Sequence, residues 1–79
     1  MMHYPDKARA AAQAYFSSFY RLFGKTPNFP SGEERQAALD TITRIIADGM
    51  QKYGSDPAVM RIIDCDVLDK MEELINSYE

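Results

Sequence analysis

"SGEERQAALDTITRIIADGMQKYG", residues 31–54, decides the fold class. Ser31 followed by Glu34 matches a capping box, in which each side chain satisfies the other's backbone N–H. Beyond it, Leu39, Ile42, Ile46, Gly49 and Tyr53 recur at three- and four-residue steps, which is one stripe along a helix. Ala38, Ile45 and Met50 widen that stripe. On the outer face, Asp40, Arg44, Asp48 and Lys52 alternate in sign at four-residue steps. Gly49 lies within the apolar stripe, although glycine weakens a helix by about 1 kcal/mol relative to alanine. Its position predicts the close approach of a second helix. Gly54 ends this element.

Downstream, "SDPAV" at 55–59 starts another helix, with Asp56 as cap and Pro57 in the first helical position. The gap is only two or three residues, so the two helices should form an antiparallel hairpin. The closing stretch places Val67, Leu68, Met71, Leu74, Ile75 and Tyr78 on one face. "RIIDCDVLD", residues 61–69, conflicts with that face. At ~100° per residue an unbroken helix carries Asp64 into the apolar arc and leaves Ile62 and Cys65 outside it. An unpaired buried carboxylate is costly. Either the helix breaks or kinks near 63–66, with Asp66 and Asp69 as a weakened capping box, or it stays whole and pairs Asp64 with a basic residue of the first helix. The break is the expectation carried forward.

Upstream, a helix is expected from Pro5 to Phe23, rich in alanine and then in aromatics. Gly24 is its expected C-terminal cap. Tyr15, Phe16, Phe19, Tyr20, Leu22 and Phe23 span roughly 160° of its surface, more than the ~100° that one packing face needs. The helix either lies in a groove between two others or leaves Tyr20 and Tyr15 as an outward edge. In "TPNFPSGEE", residues 26–34, Phe29 stands between Pro27 and Pro30. It either folds back to plug the open end of the core or projects as a knob toward a partner.

The expected architecture is therefore all-α: one domain over 1–79, a three-helix bundle, or four helices if the last breaks near Asp64. The 79 residues are 46% hydrophobic and 27% charged, ordinary values for a globular domain. A chain this short hides only roughly 60% of its unfolded surface, so association with a second copy or a partner would stabilise it. Cys65 is the single cysteine, the first residues lack an apolar signal run, and no stretch approaches a ~20-residue membrane span. A reducing cytoplasm is expected, with no membrane contact.

Charge is unevenly placed. Residues 1–30 carry a net +3, residues 31–54 a net −1 and residues 55–79 a net −5. The two ends could attract each other within the fold, or the acidic segment could face a basic partner.

Catalytic chemistry finds little footing. His3 is the only histidine, and Cys65 lies between Asp64 and Asp66, whose charges disfavour its thiolate. "DCDVLD" at 64–69 brings three carboxylates together without an EF-hand loop, and "GKT" at 24–26 lacks the remainder of a phosphate loop. The chain is read as a non-enzyme without metal or cofactor. "KYGSDPAV" (52–59) with "LINSYE" (74–79) resembles the small helical-hairpin phosphatases that act on sporulation response regulators. That family's Ser-Gln-x-x-x-Asp signature is missing, so no phosphatase activity is carried over.

The expected function is binding to another protein, as a small adaptor, inhibitor or regulatory protein that also forms a homodimer. The candidate contacts are Tyr15, Tyr20 and Phe29 with the acidic set Asp66, Asp69 and Glu73. The alternative is a nucleic-acid-binding helix-turn-helix regulator with its turn at "YGSDP", residues 53–57. It is the weaker reading, because Arg61 is the only early cation of the would-be recognition helix.

Overall fold

The computed structural model describes residues 6–54 and 56–78. Among them are four α-helices and no strand: α1 (Asp6–Phe16), α2 (Phe19–Phe23), α3 (Gly32–Tyr53) and α4 (Pro57–Ser77). The all-α bundle is as expected. Pro5, the expected start of the first helix, lies outside the described residues.

Four helices arise by a different route from the one expected. α4 runs unbroken through residues 63–66. Its buried side chains Ile63, Val67, Met71, Leu74 and Ile75 keep a helical period across the conflicting stretch. Asp64 stops half-buried at the rim, while Cys65 is exposed and Ile62 is 55% exposed. A carboxylate that keeps part of its hydration needs neither a break nor an ion pair. Asp64 has no partner from the first helix, since the one ion pair among the described residues joins Lys70 to Glu73 at 3.1 Å.

The break falls instead at Ser17–Ser18. Both hydroxyls bond back to carbonyls one turn earlier, Ser17 Oγ to Gln13 O at 3.0 Å and Ser18 Oγ to Ala14 O at 2.8 Å. Hydroxyls bonded this way compete with the backbone ladder and bend helices. The Ser18 N–H tightens to Tyr15 O at 2.9 Å, and Ser18 leaves helical geometry at φ −106° and ψ 5°. The redirected chain buries Phe19 and ends at Gly24, whose φ of 74° is the left-handed cap expected there.

α3 is the central element, and α1 and α4 both approach it more closely than they approach each other. Ala8 and Ala12 of α1 are fully buried, small side chains that permit close helix approach. On α3 the buried set is Ala38, Leu39, Ile42, Thr43, Ile46 and Ala47. Thr43 is buried because its hydroxyl donates to Leu39 O at 2.8 Å. Tyr53, expected in the stripe, is exposed at the last helical position before the turn. A β-carbon on Gly49 would stand 2.7 Å from Ile63 Cγ1, which is the close helix approach that the glycine predicted.

The caps follow the local rules. Ser31 Oγ accepts from Glu34 N at 3.2 Å, and Asp56 Oδ1 accepts from Ala58 N at 3.1 Å. The reciprocal half of the capping box is replaced, because the Glu34 carboxylate accepts from the Tyr78 hydroxyl at 2.5 Å. This bond joins the start of α3 to the end of α4, and Gly49–Ile63 joins their opposite halves, so the hairpin is antiparallel. The alternating charges on the outside of α3 form no ion pair among the described residues. Asp40 accepts from Gln36 at 3.0 Å, and Lys52 lies 5.2 Å from the Tyr53 ring centroid.

Candidate partner-binding faces

The six candidate residues divide into three groups. Phe29 packs half-buried against the molecule's own core. Its ring stacks on Phe16 at 5.8 Å and 5°, and meets Tyr78 at 5.0 Å and 55°. Phe16 in turn meets Phe19 edge-on at 5.3 Å, with the Arg35 guanidinium 5.4 Å from its ring centre. The Asn28 N–H donates to Tyr78 O at 2.8 Å, which ties the loop to the end of α4. Phe29 is thus the plug of one bundle end, packing across onto Phe16 and Tyr78.

Tyr78 completes that end and was missed as a functional link. Its hydroxyl gives its proton to a hydrogen bond with Glu34, and that bond, with partial burial and the neighbouring negative charge, raises its pKa above the ordinary phenol value.

Tyr15 and Tyr20 belong to the α1–α2 side. Tyr15 is half-buried against the core, whereas Tyr20 is 72% exposed. On the short turn of α2, Tyr20 and Leu22 flank Arg21, and Phe19 takes the inward position. The Leu22 side opens on a groove lined by Ala11, Ala14, Tyr15, Ser18, Arg21 and Leu22. Arg21 is held at this edge by a 3.2 Å hydrogen bond to Ser18 Oγ.

Asp66, Asp69 and Glu73 form the third group, exposed along α4 at three- and four-residue steps. Glu73 is partly neutralised by Lys70. Ile62, 55% exposed, continues the same stripe one turn before Asp66; its place outside the apolar arc was the signal for that exposure. Asp66 also borders a shallow groove shared with Ile45, Asp48, Gly49, Lys52 and Tyr53 of α3. Of the six candidates Tyr15 lines the first groove and Asp66 the second, so the aromatic and acidic candidates do not share one groove.

The opposite charges of the chain's ends do not pair. Among the described residues no ion pair joins α1 or α2 to α4. Nor do three of His, Cys, Asp or Glu gather as a metal-ligand set among those residues, and His3 lies outside them. No described helix is long and apolar enough to cross a membrane. Comparison with protein families, with curated proteins and with solved structures found no match.

Proposed function

We propose that this chain is a small protein-binding module of the adaptor, inhibitor or regulator kind, working through its helical surfaces. The observation that carries the reading is Tyr20, 72% exposed beside an exposed Leu22 on α2. A tyrosine is apolar in body and polar at its tip, so it contributes contact area at an interface while tolerating water when free. The acidic row Asp66, Asp69 and Glu73 supplies a second face with charge selectivity. The lone, exposed Cys65 suits a reducing cytoplasm.

The test is affinity capture from the native cell with the wild-type chain, Tyr20→Ala and Asp69→Ala, read by mass spectrometry. A partner held by the wild type and lost or depleted at least tenfold with either variant supports the reading. Equal recovery with all three sinks it. The nucleic-acid alternative has less support: α3 and α4 lie alongside each other from end to end, and the exposed row of α4 repels phosphate. Salt-dependent gel shifts with duplex DNA and RNA would revive it.

A further inference from the structure

We propose that the α1–α2 groove of one copy receives the outer face of α4 from a second copy, head to tail. The inference rests on the binding-module reading above and names the chain itself as one partner. The groove has an apolar floor of Ala11 and Ala14, walls of Tyr15 and Leu22, and a cation, Arg21, at one end. Lys7 stands four residues before Ala11 on the same helical face, outside the groove's lining.

The outer face of α4 carries the opposite charge. Ile62 is an apolar anchor 55% exposed, and Asp66 and Asp69 follow one and two turns later. A helix laid into an apolar groove is a recurrent recognition mode, read at i, i+4 and i+7; here the first position is an apolar anchor and the next two are carboxylates. With Ile62 between Tyr15 and Leu22, Asp66 and Asp69 lie on one side of the anchor and run toward Arg21.

Neither face is satisfied inside one molecule. No ion pair links α1 or α2 to α4 among the described residues, and no residue of α3 or α4 lines the groove. A patch complementary to a different patch on the same chain makes a heterologous contact, which propagates or closes into a ring. The contact is small and partly electrostatic, so it is weak and falls with salt.

The test is sedimentation of the full chain from about 10 μM to about 1 mM, the range of small transient interfaces, at low and high salt. Leu22→Glu closes the groove and Ile62→Lys spoils the anchor. Both positions are exposed, and circular dichroism checks that the helices persist. The wild type should grow in mass with concentration and revert in high salt. Each variant alone should stay monomeric, and their equimolar mixture should form a dimer and stop, since each molecule keeps one working face. A second pair, Arg21→Glu and Asp66→Arg, should lose association singly and regain it when combined in one chain. A wild type that stays monomeric, or variants that associate as it does, or a mixture that remains monomeric, overturns the inference. Capture of another protein through Tyr20 by a chain that stays monomeric would leave the binding-module reading standing and remove this one.

Discussion

The Ile63 side chain occupies the space in which a β-carbon on Gly49 would stand. Ile63 Cγ1 and Cδ1 come within 2.7 and 2.9 Å of that position. Cγ1 is close to the branch point of the side chain, so it cannot swing away without moving α4. Helix propensity alone favours alanine by about 1 kcal/mol, and overpacking of a closed contact opposes it by about 1–3 kcal/mol.

Gly49→Ala should therefore destabilise the chain by about 1–2 kcal/mol in urea unfolding. Ile63→Ala should cost less in that background than in the wild type, because it removes the clashing atoms. Gly32→Ala is the control, since its added methyl meets nothing within 4 Å and should be near neutral. Equal effects at both glycines would contradict the close packing.

Phe29→Ala removes the ring between Phe16 and Tyr78. For a half-buried aromatic the loss should be about 2 kcal/mol, a fall in melting temperature of about 8–16 °C for a domain this small. Tyr20→Ala takes away a similar ring from an exposed position and should change the melting temperature little. The contrast separates plug from surface contact.

The Tyr78–Glu34 bond makes a pH prediction. The folded state holds the phenol's proton, so its pKa is raised above the unfolded value. Stability from this group is fully present below about pH 10, the ordinary tyrosine value, and is lost as pH rises through the folded pKa. Ultraviolet titration of phenolate should show one late tyrosine that Tyr78→Phe deletes and Glu34→Gln brings earlier. An unchanged curve in both variants would refute the bond.

The helix starts can be tested directly. Ser31→Ala and Asp56→Ala each remove the one side-chain acceptor at their helix's N-terminus and should cost about 1 kcal/mol apiece. Chemical denaturation measures both, and their sum should hold in the double variant because the caps lie at opposite ends of α3.

Several features were legible before any coordinates. Ser31, Gly24, Gly54 and Asp56–Pro57 mark helix ends because capping is chemistry among residues a few positions apart. The glycine at 49 signalled a neighbour because its local cost is unexplained otherwise. The break at Ser17–Ser18 has a local counterpart in the sequence, a pair of hydroxyls after an alanine-rich run, which the expectation of one helix from Pro5 to Phe23 did not use. The acid at 64 misled because a helical wheel gives angle without depth: it ranks Asp64 as inward, while the fold leaves it half-buried.

The candidate faces were less legible. That Phe19 would be buried and Tyr20 exposed depended on the bend at Ser18, which turns one aromatic inward and its neighbour outward, and Phe29 found its place only through packing on Phe16 and Tyr78. Glu34 was assigned to the backbone N–H of Ser31, whereas Tyr78, forty-four residues away, claims it. No local rule anticipates that competitor.

By itself, the order of residues determined the helical class, the hairpin, most helix ends and the separation of charge, since each follows from interactions within a few turns of chain. Only the tertiary arrangement decided which aromatics are enclosed, that α4 is continuous, and that among the described residues no ion pair joins the basic and acidic segments. Those outcomes depend on distances between segments remote along the chain, and such distances are set by how the helices pack.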